Sequence, residues 1–203
     1  MLISIAFNMP MNIALYGDSY VSRLKNFCKS DLRVPANVCW YDRSGLRSDF
    51  LNRKGRIDET AKNNYDDLKE LKPDVVFINV GGNDLSTKSD PREVYERIMA
   101  LVHEMRQVGV NVVYVAEIMT RGDFSKCPDT EMNKTSFDRQ RRKINTLLAK
   151  ELKERFVKFG DVHYPSDYSR DLVHLSDFSD ITNNTGLKKY ESRLRRIFCS
   201  LKS

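Results

Sequence analysis

Val75-Val76-Phe77-Ile78-Asn79-Val80 runs directly into Gly81-Gly82-Asn83-Asp84. The first part is β-branched or aromatic almost throughout and shows no polar alternation. A strand of that kind is covered on both faces, which places it at the centre of a parallel sheet. Gly81-Gly82 then breaks the run at what would be the carboxyl end of the strand. Upstream, a charged helix from Asp58 to about Leu71 is closed by Pro73. Downstream, Pro91 stands at a favoured helix start, and Val94, Ile98, Leu101, Val102, Met105 and Val108 line one face until Gly109 stops the helix.

The same alternation extends to both ends of the chain. Ile13–Tyr16 reads as a strand leading into a helix from Ser19 to about Lys29. Asn37–Tyr41 is a second strand, followed by a loop with Ser44-Gly45. Val110–Ile118 is a fourth strand, Phe137–Glu154 a helix with Ile144, Leu148 and Leu152 inward, and Phe156–Phe159 a short fifth strand. A final helix runs from about Asn184 to Cys199. Five strands alternating with five helices predict an α/β three-layer sandwich, a five-stranded parallel sheet between two helical layers.

Composition is consistent with one ordinary domain spanning residues 1–203, with 1–10 as an N-terminal tail or strand extension. Hydrophobic residues make up 40% and charged residues 31% of the 203, which points to neither disorder nor a membrane protein. Apolar stretches are strand-sized, far short of the ~20 residues of a membrane span. Met1–Phe7 has no basic n-region and too short an apolar run for a secretory signal, so an intracellular, cytoplasmic protein is expected. Cys28, Cys39, Cys127 and Cys199 are scattered and are expected as free thiols. With His103, His163 and His174 the only histidines, no metal site and no cofactor are expected.

The net charge of +6 raises the question of nucleic acid. Basic residues cluster at Arg139–Lys143 and Lys188–Arg196. In the second cluster Leu187, Tyr190, Leu194, Ile197, Phe198 and Leu201 recur at helical spacing, so the charges occupy the outer face of a helix. A solvated face is the simpler reading, with weak phosphate contact as the alternative.

Sites in parallel α/β sheets lie at the carboxyl ends of the strands. Three polar blocks occupy such places: Gly17-Asp18-Ser19, Gly81-Gly82-Asn83-Asp84 and Asp171-Leu172-Val173-His174. A serine hydroxyl is a weak nucleophile until a base takes its proton. His174 is the candidate base, and Asp171 could fix its tautomer and stabilise the imidazolium. Ser19 opens a helix, so its backbone N–H is free to face an oxyanion. Gly45 can offer a backbone N–H and Asn83 its side-chain amide. Each such donor is worth ~3 kcal/mol to a developing oxyanion. Asp161 and His163 form a rival acid–histidine pair, and Gly55 competes with Gly45. His103 stands without a motif around it.

On these blocks the chain resembles the SGNH hydrolase superfamily, the GDSL esterases and lipases, from Gly17 to the last helix. The family's nucleophile block matches Gly17-Asp18-Ser19, its lone glycine Gly45, its Gly-x-Asn-Asp block Gly81–Asp84, and its Asp-x-x-His block Asp171–His174. The usual glycine after the aspartate is Leu172 here, a departure that bears on loop conformation and access. The resemblance implies a flavodoxin-like fold and a cofactor-free serine esterase with Ser19, Asp171 and His174 catalytic and Ser19, Gly45 and Asn83 as oxyanion donors. Its substrate would be a small-molecule, glycan or lipid ester. Met119–Ser136 is expected to flank the site, its polar character favouring short acyl groups. The alternatives are a catalytically weak binding module on the same scaffold and a nucleic-acid-associated accessory domain, since compact domains of this kind also occur in retrotransposon-encoded proteins.

Overall fold

The structure is a computed structural model that describes residues 10–52, 54–125, 127, 129–177 and 185–202. Apart from Pro10, the expected N-terminal tail lies outside the described residues, as do Pro128 and Asn184. The elements follow one another as β1 (Asn12–Gly17), α1 (Ser19–Phe27), β2 (Asn37–Asp42), α2 (Glu59–Leu71), β3 (Val75–Asn79), α3 (Pro91–Gln107), β4 (Val112–Ala116), α4 (Lys134–Leu152), β5 (Phe156–Val157) and α5 (Gly186–Cys199). All strand pairs are parallel, in the order β2-β1-β3-β4-β5. This is the flavodoxin-like order, and its direction of winding reverses between β1 and β3.

Every residue of β3 is buried, as its continuous apolar run requires. The pleat divides the core into two layers. Ala14, Tyr16, Val76, Ile78, Val113 and Val115 face Leu68 of α2, Val94 and Val102 of α3, and Ile144 and Leu148 of α4. Ile13, Leu15, Val75, Phe77, Tyr114 and Ala116 face Val21 and Leu24 of α1 and Leu187, Tyr190, Leu194 and Phe198 of α5. Period-two alternation within each strand thus serves two helical layers at once. Aspartates cap α1, α2 and α3: Asp18 accepts from Tyr20 N, Asp58 from Ala61 N and Asp90 from Arg92 N, with Pro91 opening α3.

Several element ends differ from expectation, and at three of them a side chain takes over backbone groups. β4 stops at Ala116 because Asn145 of α4 binds both Ile118 N and Ile118 O, at 2.9 Å each. β5 stops at Val157, and Phe159 N is taken by the Glu117 carboxylate at 2.5 Å. α4 begins three residues before Phe137, because Asn133 caps it by accepting from Ser136 N at 3.0 Å.

The basic face of α5 is largely engaged within the fold. Lys188 pairs with Glu191, Lys189 with Asp167, and Arg193 donates to Lys158 O. On α4, Arg141 pairs with Asp138 while Arg139, Arg142 and Lys143 are exposed. Among the described residues, no helix is long and apolar enough to cross a membrane.

Gly17 closes β1 against β3. A Cβ on it would lie 2.5 Å from Val21 Cγ2 and 2.6 Å from the backbone oxygen of Asn79. Neither can give way cheaply, because one belongs to the first turn of α1 and the other to the sheet. Gly17→Ala is therefore expected to destabilise the protein by about 1–3 kcal/mol, read as a lowered midpoint in urea unfolding.

Candidate active site

Ser19 is the first residue of α1, immediately after β1, and Asn83 lies in the turn after β3. They border the crevice opened where the direction of winding reverses. Asp18 N donates to Asn79 O at 3.1 Å, which ties the β1–α1 turn to the end of β3. The Asp18 side chain is buried, accepting from Tyr20 N at 3.0 Å and from Asn83 Nδ2 at 3.3 Å. Burial pushes its carboxyl up to about 6, against the Tyr20 N–H bond and the positive charge of Arg121.

Asp171 and His174 reach the same crevice through the long connection after β5. Tyr20 OH donates to Val173 O at 2.6 Å and pins this loop to α1. Within the loop, the Ser169 N–H and hydroxyl both donate to His174 O, at 2.8 and 2.9 Å. The result is a continuous line. Ser19 Oγ stands 2.9 Å from His174 Nε2, and His174 Nδ1 stands 2.6 Å from Asp171 Oδ2. The other oxygen of Asp171 accepts from Val173 N and His174 N at 3.0 Å each and from Ser169 Oγ at 3.1 Å.

Burial alone would raise the Asp171 carboxyl. The hydrogen bonds from the His174 ring and from the His174 and Val173 N–H groups outweigh it and hold the carboxyl well below the usual carboxylate range. His174 moves down from its ordinary value of 6.5. Burial is the main cause, the Asp171 hydrogen bond opposes it, and the Arg23 and Arg121 charges add to it. At neutral pH the ring is uncharged, with Nδ1–H held by the carboxylate and the Nε2 lone pair facing the serine.

Gly45 lies beside this line, on a cleft of about 200 Å³ lined by Ser19, Asn83 and His174 among others. Its backbone has φ +80°, a conformation that favours glycine. Asp84, fully sequestered, holds the Gly45 loop to the Asn83 turn. It accepts from Ser48 N and from Ser48 Oγ at 2.6 Å, and Asn83 Nδ2 donates to Leu46 O at 3.1 Å. Gly55 sits in an exposed turn, bonded to Asn52 O, away from the cleft. The rival pair does not enter the cleft either. Asp161 and His163 are exposed and lie outside any strand, with Asp161 near Arg196. His103 is exposed on α3.

Leu172 has φ +52°, in the left-handed region where glycine is usual. Leucine accepts roughly 1–2 kcal/mol of backbone cost there. Leu172 O takes the Gly122 N–H at 2.7 Å. Its side chain lies beside Gly122 and is not among the residues that line the cleft.

The sequence does not single out Tyr20, Ser48, Arg47 or Arg121. Arg47, Arg121 and Cys127 all line the cleft, the last two from the expected flanking segment. The available signal for Arg121 was its place just past the carboxyl end of a strand. Among the described residues, no group of three or more His, Cys, Asp and Glu side chains is placed to hold a metal ion.

No functionally curated protein matches the sequence. Among solved structures, a GDSL-like lipase from Bacteroides thetaiotaomicron superposes with a TM-score of 0.67 at 15% identity, covering 94% of this chain and 89% of that one. A lipase/acylhydrolase from Enterococcus faecalis gives 0.64 at 16% identity, covering 94% and 96%. An aryl esterase from M. smegmatis gives 0.58 at 15%, again covering 94% and 96%. At such identities these likenesses speak for the fold. The profile of the GDSL-like Lipase/Acylhydrolase family matches residues 9–180, most of the chain and all three polar blocks. The chain therefore belongs to the GDSL-like lipase/acylhydrolase family, and with it to the ester hydrolases.

Proposed function

We propose that the protein is a serine esterase acting on short-chain acyl esters, with Ser19 as nucleophile, His174 as base and then acid, and Asp171 as the group that orients and stabilises His174. The observation that carries this reading is the unbroken line from Ser19 Oγ through the neutral His174 ring to the Asp171 carboxylate. Ser19 Oγ attacks the acyl carbonyl as its proton passes to His174 Nε2. Ser19 N–H, Gly45 N–H and the Asn83 amide receive the oxyanion. Asn83 keeps its shorter bond to Leu46 O and turns its longer one, to Asp18, toward the substrate. The tetrahedral species collapses, the ester C–O bond breaks, and the alcohol leaves with the proton from His174. Water then attacks the acyl-serine, gives a proton to His174, and the carboxylic acid departs as Ser19 Oγ takes that proton back. The small cleft favours short acyl groups over long lipid chains.

Ser19→Ala and His174→Ala are each expected to lower kcat on 4-nitrophenyl acetate by about 10³-fold or more, with circular dichroism unchanged. Equal rates in wild type and Ser19→Ala would remove Ser19 from the reaction and favour a binding module.

Asn83→Ala is expected to cost about 10²–10³ in kcat with little change in KM, as for loss of one oxyanion donor.

The base must be neutral, and burial lowers its pKa. The acid limb of kcat/KM is therefore expected to bend below the ordinary histidine value of 6.5. Arg23→Gln removes a cation that disfavours the imidazolium, so the bend moves to higher pH, measured from initial rates between pH 4 and 8.

A further inference from the structure

Arg121 lines the cleft from the segment after β4, together with Gly45, Gly82 and Asn83. Its guanidinium stacks on Phe137, 4.8 Å from the ring centroid. Its Nη2 lies 2.9 Å from where a Cβ on Gly82 would be, so the group lies close against the glycine turn that carries Asn83. Arg121 Nε is sequestered without a hydrogen-bond partner. The other cleft arginine is different, because Arg47 is gripped by both oxygens of Asp49, at 2.9 and 2.6 Å. Among the described residues, the acids that line the cleft are Asp123 and Asp171. Asp171 is committed to His174, and Asp123 accepts from the N–H and hydroxyl of Ser125. Asp18 feels the Arg121 charge through the wall, but its two oxygens are bonded to Tyr20 N and Asn83.

Arg121 lines the cleft half-buried and makes no hydrogen bond to an acceptor among the described residues, so a ligand there can supply acceptors that the protein does not. The planar guanidinium fork matches the two oxygens of a carboxylate or phosphate. Contact with the Phe137 ring restrains the side chain, so less freedom is lost when an anion arrives. We infer that Arg121 selects ester substrates bearing an anionic oxygen group, a carboxylate or phosphate, within a few bonds of the scissile ester, and seats that group beside the oxyanion donors. The inference rests on the esterase reading above and narrows its substrate class.

The test compares charged esters with neutral isosteres. Mono-4-nitrophenyl succinate against its methyl ester places a carboxylate on the acyl side. 4-Acetoxybenzoate against methyl 4-acetoxybenzoate places it on the alcohol side, and 4-acetoxyphenyl phosphate against 4-methoxyphenyl acetate supplies a phosphate. Wild type is expected to favour the charged member of at least one pair by about tenfold or more in kcat/KM, mainly through KM, as one charge-assisted contact allows. The pair that responds identifies the side and type of anion. Arg121→Gln is expected to bring that ratio to about one, and Arg121→Lys, which keeps the charge but not the fork, to retain part of it. The ratio is internal to each variant, so a general loss of activity does not imitate the effect. Arg121→Glu, expected to invert the ratio, guards against an unfolded glutamine variant.

Equal rates on charged and neutral esters in wild type would overturn the inference, as would a ratio that survives in Arg121→Gln. A uniform fall on both members of every pair would also overturn it, assigning Arg121 to the oxyanion instead. These outcomes leave the esterase reading standing as long as Ser19→Ala is inactive on the same esters. Turnover by Ser19→Ala equal to wild type, or no turnover by wild type, overturns both.

Discussion

The hydrogen bond from Asp18 N to Asn79 O is the constraint on which the site depends. It closes the β1–β3 register one step past Gly17↔Asn79, where the winding of the sheet reverses. Strands on either side send their connections in opposite directions, and the gap between them is the cleft. With β1 and β3 locked there, α1 must start at Ser19 and the Gly81–Asp84 turn must fold over the same spot. Only a residue without a side chain fits at Gly17, because Val21 and the Asn79 carbonyl already fill the space. The side chain of Asn79 extends the brace to the opposite helical layer, donating to the sequestered Tyr190 hydroxyl at 2.6 Å.

Two buried carboxylates hold the loops around that junction, and their burial has a purpose in each case. Asp18 caps α1 and touches the Asn83 amide; Asp84 gathers Ser48 and, at 3.7 Å, Arg97, which anchors the Gly45 loop. Burying a charge without partners is expensive, so both positions require the donors they have. Their effect is preorganisation. The groups that face the cleft have their orientations set by residues behind them.

The cleft is electrostatically uneven. Asp171 is spent on His174, and Arg47 on Asp49, while Arg121 lies against Gly82 and Phe137 with its Nε unmatched. His174 is lowered mainly by burial, and the Arg23 and Arg121 charges add to it.

The architecture was legible because hydrophobic periodicity is local. The β3 run, the Val94–Val108 stripe and the α5 stripe each announce their element, and helices and strands that alternate allow few arrangements. The three polar blocks were legible for a related reason: each sits where a strand or loop ends, so sequence position alone sent them to one edge of the sheet. Where β4 and β5 end was not legible. Asn145 and Glu117 take backbone groups from residues far away in sequence, and no local pattern announces such a bond. The same holds for Leu172, where the loop keeps a left-handed conformation through bonds to Ser169 and Gly122 although its residue is not glycine. It holds most for Arg121. In the sequence it is one basic residue in an irregular segment. Its meaning comes from Phe137 beneath it, Gly82 beside it and the lack of a bond at Nε, which are relations between elements that only packing brings together.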